Sequence, residues 1–211
     1  EVPGFDCSYR LVAEYVKYRK ESLNLKRNEG FLPLEHSPGE AQADFGSAEF
    51  YQRGRYFYGK YIALSFPWSN AAYMQLLYGE NTECLLEGLD AIFKHIGGVP
   101  HEIWFDNGSA MVANIIKGGG RNLTERFARF KEHYGFKAVF MNPNEGHEKG
   151  NVENKVGYLR RNYLVPVPKF DDLMFYNLEL LDKLDCDQDR PHYYKQTKIA
   201  DLFETDKAAL L

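Results

Sequence analysis

Between Glu40 and Tyr78 three strand-length segments follow one another with almost nothing between them, and this run most narrows the folds open to the chain. They cover about Glu40 to Arg53, Tyr56 to Phe66 and Ala71 to Tyr78, separated by Gly54 and by the turn Pro67-Trp68-Ser69-Asn70. Connections that short join antiparallel neighbours, so the run reads as a meander. The pattern then changes to helix and strand in alternation. Thr82 is placed to cap a helix with Leu85, Leu86, Leu89, Ile92 and Phe93 facing inward, ending at Gly97-Gly98. His101 to Asp106 is a short apolar strand stopped by the turn pair Asn107-Gly108. A helix starting at Asn122 or Thr124 runs to about Tyr134, and Phe136 to Met141 forms a further buried strand. Later helices are expected around Glu153, from Asp171 to Leu184 and near Ile199 to Phe203, and an early one from about Tyr9 to Glu21 capped by Ser8. Gly118-Gly119-Gly120 marks a loop suited to act as a lid.

With 211 residues, 44% of them hydrophobic and 15% aromatic, the chain can bury one substantial core with small additions at its ends. The organisation expected is residues 1–30 as a helix and linker from a preceding module, 31–165 as the core and 166–211 as a helical extension. Cys7, Cys84 and Cys186 are odd in number and far apart, which fits neither a disulfide framework nor a zinc cluster. No apolar run approaches the roughly 18 residues of a membrane span. A reducing interior is therefore expected and, since the chain opens at Glu1 without a methionine, it reads as one cut from a longer protein. Gly118-Gly119-Gly120-Arg121 lacks the lysine and spacing of a phosphate-binding loop, so an ATPase is not indicated.

The net charge of -4 conceals a segregated distribution. Lys17, Arg19, Lys20, Lys26 and Arg27 form one basic stretch and Lys149, Lys155, Arg160 and Arg161 another, whereas Asp171 to Asp189 is acidic. Local basic footprints matter more for phosphate contact than the total. Such runs are also what ordinary solvated helix faces look like.

Three acidic residues stand in distinct settings. The stretch Glu40-Ala41-Gln42-Ala43-Asp44-Phe45 alternates, placing Gln42 and Asp44 on one face and Ala41, Ala43 and Phe45 on the other. Asp106 sits where a strand gives way to a loop, the position at which open sheets expose chemistry. Glu153 lies on a basic helix whose Val152, Val156, Leu159 and Tyr163 supply an apolar anchoring stripe.

The order of elements and these carboxylates together resemble the ribonuclease H-like α/β fold of retroviral integrases and DDE transposases. Ala43-Asp44-Phe45-Gly46, Phe105-Asp106-Asn107-Gly108 and Lys149-Gly150-Asn151-Val152-Glu153 look like that family's three signature blocks in order. The block Pro38 to Gly46 and the helix ending Tyr158-Leu159-Arg160-Arg161-Asn162-Tyr163 are similar to the IstA branch of insertion-sequence transposases, which work with an AAA+ helper ATPase. The resemblance spans about Pro33 to Phe203. It implies a mixed five-stranded sheet, three antiparallel strands followed by two parallel ones, flanked by helices.

The resemblance further implies a polynucleotidyl transferase whose Asp44, Asp106 and Glu153 bind two Mg2+ ions, with Mn2+ able to substitute, Asp44 bridging both. Hard oxygen ligands suit such ions. Asp106 and Glu153 are further apart in sequence than in compact retroviral enzymes, and Glu145 and Glu148 are rivals for the third position. Lys149, Lys155, Arg160 and Asn107 are candidates for DNA contact, read equally as surface charge and as a turn residue. Trp68, Tyr51, Tyr56, Tyr58 and Tyr61 read either as base-stacking groups or as strand packing. The partners implied are mobile-element end DNA, target DNA, further copies of the chain on DNA and the helper ATPase. A ribonuclease H-like enzyme that only hydrolyses, and an inactive scaffold of the same fold, are the alternatives.

Overall fold

The computed structural model of the chain describes residues 8–22, 36–106, 110–115, 121–141 and 150–211, with backbone alone at 9, 20–22, 113–115, 121 and 150–154. Two compact units result, Glu1–Leu34 and Glu35–Leu211. In the first, α1 (Tyr9–Ser22) is a helix whose Leu11, Tyr15, Val16 and Tyr18 are exposed. The glycine-rich lid expected at 118–120, together with Asn107, Glu145, Glu148 and Lys149, lies outside the described residues.

The second unit is organised around β1 (Glu40–Gln52), the longest strand. It pairs antiparallel with β2 (Arg55–Ser65) through a tight turn in which Arg53 and Gly54 both have positive φ, the conformation that matches the twist of a two-residue hairpin. β2 pairs antiparallel with β3 (Ala72–Leu77), completing the expected meander. Helix α2 (Thr82–Ile96) follows. Its cap is Asn81 rather than Thr82: the Asn81 side chain accepts from the Cys84 amide, while Thr82 donates to the Ala110 carbonyl. Gly97 closes the helix in the left-handed region.

β4 (Glu102–Phe105) then enters parallel to β1, and β7 (Lys137–Phe140) parallel to β4. Between them lie a small hairpin, β5 (Val112–Ile115) with β6 (Arg121–Leu123), and α3 (Glu125–Tyr134), capped by Thr124. After α4 (Gly150–Tyr163) a two-residue strand, β8 (Lys169–Phe170), joins β1 near its far end. The order is β3-β2-β1-β4-β7 with β8 beside β1, so the sheet has the expected five strands plus this sixth. It is the ribonuclease H-like arrangement. Alternation along β1 buries Ala41 and Ala43 on one face and carries Gln42, Asp44, Gly46 and Ala48 on the other.

Helices α5 (Leu173–Asp187) and α6 (Ile199–Lys207) pack into this same unit. The Asn177 carboxamide on α5 accepts from the Leu76 amide at 2.8 Å and donates to the Leu76 carbonyl at 2.9 Å, closing the edge of β3 as a neighbouring strand would. Asp206 on α6, wholly buried, accepts from the Gly39 amide at 2.7 Å just before β1. Leu211 and Val99 exchange backbone hydrogen bonds. Tyr61, Tyr73, Phe50, Phe66 and Phe105 are among the largest fully buried side chains, each contributing roughly 1.5 to 3 kcal/mol by leaving water.

Candidate active site

The register of β1 against β4 positions the site. Gln42 faces Trp104 and Ala43 faces Phe105 on strands roughly 4.8 Å apart, and Asp44 and Asp106 are the residues that follow this last pair, Asp106 just past the end of β4. β4 stops at Phe105 while β1 continues, which opens the sheet at this point. Both aspartates are half-buried. The Phe45 amide donates to Asp44 Oδ1 at 2.8 Å. Ala63 lies opposite Asp44 on β2, a small residue that leaves room above the carboxylate.

Helix α4 crosses this face of the sheet. Tyr61, on β2 and directly across from Gly46, donates its phenol proton to the Val156 carbonyl at 2.6 Å. Burial pushes the Tyr61 phenol up to about 12, with Arg160 opposing and Asp44 adding to the rise, so it remains a neutral donor near neutrality. Leu159 is fully buried and anchors the middle of the helix. Glu153 belongs to α4, three residues before Val156, and its side chain lies outside the described atoms. Asp44 and Asp106 thus each follow the last facing pair of β1 and β4, and the helix bearing Glu153 packs against β1 and β2.

Lys155 corrects the sequence reading. Instead of reaching outward toward phosphate it is buried, 6% exposed, and donates to the Asn70 carbonyl at 2.7 Å. Its ammonium lies 5.4 Å from the centre of the Tyr158 ring, which Arg190 also approaches at 4.9 Å. Burial first, then the Arg190 charge, lowers Lys155 to about 7 against the opposing pull of Asp187. The apolar stripe of α4 is wider than its hydrophobic residues suggest, and a lysine stem completes it. Arg160 is exposed, and with Ser47, Tyr58, Leu164 and Val165 it lines a groove of about 240 Å³ beside β1. Tyr61 is buried rather than free to stack on bases, and the half-buried Trp68 ring lies 3.4 Å under the Lys195 ammonium. Tyr56 and Tyr58 are exposed.

Sequence reasoning missed three features. His36 lies on the site face, with Nδ1 2.9 Å from Glu40 and Nε2 3.0 Å from the Gln42 amide nitrogen. Tyr61 was visible only as a strand aromatic, although its pairing with Gly46 is a signal in the alternation. The third is a group on the opposite face: His95, Asp182 and Asp185 have ligand atoms within 4.8 Å of one another. Asp185 there accepts from Tyr73 at 2.7 Å and faces His95 Nε2 at 2.8 Å. Burial and that carboxylate push the Tyr73 phenol up. Residues ninety apart in sequence gave no hint of it.

Comparison with known proteins follows the same direction. No family model matches the sequence. A transposase from Aminobacter aminovorans is 28% identical over 99% of this chain and 42% of its own length. The transposase for insertion sequences IS1326/IS1353 from Pseudomonas aeruginosa is 30% identical over 84% of this chain and 36% of its own. The chain is similar to bacterial insertion-sequence transposases. A transposase of an IS21-like element from Bacteroides fragilis, 29% identical over 76% of this chain and 31% of its own length, extends the same group. The chain spans less than half the length of these three relatives. Among solved structures, the magnesium complex of the HTLV-2 integrase catalytic core domain in its trimeric form aligns with a TM-score of 0.51 and 17% identity, over 83% of this chain and 99% of that one. A chain of the simian T-cell lymphotropic virus intasome, solved with PP2A regulatory subunit B56 gamma, aligns at 0.54 and 14%, over 93% of this chain and 70% of that one. These likenesses fix the fold as that of integrase catalytic cores. Among the described residues, no helix is long and apolar enough to cross a membrane.

Proposed function

We propose that the chain is the catalytic core of a transposase that processes the 3′ ends of a mobile element and joins them to target DNA. The observation supporting this reading is that Asp44 and Asp106 directly follow Ala43 and Phe105, the last facing pair of the parallel strands β1 and β4, with α4 crossing the Asp44 face. Two like charges held side by side gain most from a shared cation, and a set of carboxylate oxygens suits Mg2+ or Mn2+. Asp44, Asp106 and Glu153 would hold two such ions, which when bound polarise phosphate oxygens and support an in-line displacement.

Within that frame the chain's own residues position and orient. Water attacks the phosphodiester at the element's end, which releases a 3′-hydroxyl. That hydroxyl then attacks a target phosphodiester and displaces its bridging 3′ oxygen. Each joining exchanges one phosphodiester for another, so no protein nucleophile is needed. Exposed Arg160 is placed to meet backbone phosphate, a contact that adds affinity without reading sequence, and Lys149 and Asn107 are proposed to do the same. The expectation of an AAA+ helper ATPase and of oligomers on DNA rests on the IstA resemblance and the similarity to an IS21-like transposase.

The test is a metal-dependent strand-transfer assay with precut ends. Asp44→Asn, Asp106→Asn and Glu153→Gln should each lower joining by more than about a hundredfold, since even partners one layer removed from a metal cost 10- to 100-fold. Melting temperature should stay close to that of the parent. Hydrolysis without joining would favour a nuclease, and no activity in the parent a scaffold.

A further inference from the structure

The face of the sheet that carries Asp44 holds two contacts whose purpose packing alone does not explain. Tyr61 is fully buried and gives its one proton to a main-chain carbonyl of α4 rather than to a side chain. A helical carbonyl has two lone pairs, so Val156 can accept this bond along with its own helical one. The phenol reaches the helix only because residue 46 is glycine: a Cβ there would fall within the Tyr61 ring. The φ of Gly46 is not in the left-handed region, so space rather than backbone conformation calls for glycine. Gly46 and Asp44 share a face of the same strand, so this contact between helix and sheet is built beside Asp44.

Lys155 is the second contact. Its ammonium is buried against the carbonyl of Asn70, a residue held at φ 67 in the turn between β2 and β3. Burying a charged amine is costly, and an apolar side chain of the same length would fill the space without that cost. What lysine adds is a directional bond to one point of the turn. Residues 155 and 156 are consecutive, so their two bonds leave the helix in different directions and restrain both its rotation and its slide along the sheet.

We propose that Tyr61 and Lys155 are positioning residues that fix the seat of α4, and through it the placement of Glu153 against Asp44 and Asp106. The inference rests on the reading of those three acids as a metal site and goes beyond it in naming what aligns them. Glu153 precedes the anchored pair by less than one turn, so little helix intervenes to absorb a shift. Displacements near 1 Å at a reacting centre can cost about a hundredfold in rate.

The experiment titrates Mn2+ into the whole chain, following bound manganese by electron paramagnetic resonance, and repeats strand transfer across a range of Mn2+ concentrations. Tyr61→Phe keeps the ring and loses only the phenol proton; Lys155→Met keeps the stem and loses the ammonium; Glu153→Gln tests the ligand itself. Tyr61→Phe is expected to bind Mn2+ several-fold more weakly, to join more slowly, and to recover as Mn2+ is raised, with unchanged KM for DNA. Lys155→Met should behave alike, and if it fails to fold Tyr61→Phe decides. Glu153→Gln should lose manganese and not recover. Parental manganese affinity in Tyr61→Phe, whatever its melting temperature, would overturn the positioning role while leaving the metal site standing. Parental affinity in Glu153→Gln, or no manganese bound by the parent, would overturn both.

Discussion

His192 shows how a single side chain can hold a loop and expose the fold to acid. It is buried, and its Nδ1 accepts from the amides of Tyr194 at 3.1 Å and Lys195 at 3.0 Å, which requires that nitrogen to be unprotonated. Burial, followed by the charges of Lys195, Lys155 and Arg190, lowers its affinity for a proton below the usual 6.5. The unfolded chain therefore binds a proton where the folded one does not. The resulting stability is complete above about pH 6.5 and is lost as pH falls through the lower folded value. Melting temperature should be flat between about pH 7 and 8 and decline below about 6.5. His192→Gln should melt lower at pH 7.5 yet show a shallower decline, and equal slopes in the two proteins would refute the assignment. At this same scale the sequence shows Asp44 and Asp106 clearly, because alternation and a turn pair fix their settings. It does not show that Lys155 turns inward, since a lysine between two valine-bearing turns has the same local pattern whether its end meets solvent or the Asn70 carbonyl.

Elements that bury a face are legible, and those that exist only through pairing are not. β1, β2 and β3 announce themselves as strand-length runs of 13, 11 and 6 residues bounded by turn residues, and α2 by its apolar stripe. β8, two residues long, and the β5–β6 hairpin carry too little pattern and form because a neighbour offers hydrogen bonds. The same logic governs the edge of β3. Its exposed ladder would template pairing with other chains, and the Asn177 side chain of α5 occupies one rung in both directions. Asn177→Ala leaves the Leu76 amide and carbonyl without these bonds. A loss of about 1 to 3 kcal/mol in urea unfolding is expected, with faster aggregation on heating. A change within about 0.5 kcal/mol, the range of an ordinary surface substitution, would mean that water replaces the contact fully.

Across the whole molecule the segment after α4, which reads from sequence as a helical extension, is knitted into the sheet. Phe203 on α6 packs edge-on to Phe66 and lies against Tyr73, Leu211 pairs with Val99, and Asp206 meets the Gly39 amide. Long-range contacts like these have no local signature, since each partner is ordinary in its own neighbourhood. They make Glu35–Leu211 one compact unit, whereas Glu1–Leu34 is a unit of its own. A chain begun at Glu35 should therefore unfold in a single transition at a temperature close to that of the parent. Asp206→Ala tests the other end of the argument. Gly39 has φ 82 and sits at the entry to β1, so an amide left unbonded there loosens the strand that carries Asp44. With the bond removed in a fully buried setting, unfolding should be easier by about 1 to 3 kcal/mol. The whole transition should move, without a separate early phase from the last helix. A biphasic melt in which α6 leaves first would instead make the segment an independent appendage, and would place control of the Asp44 strand within residues 36–165.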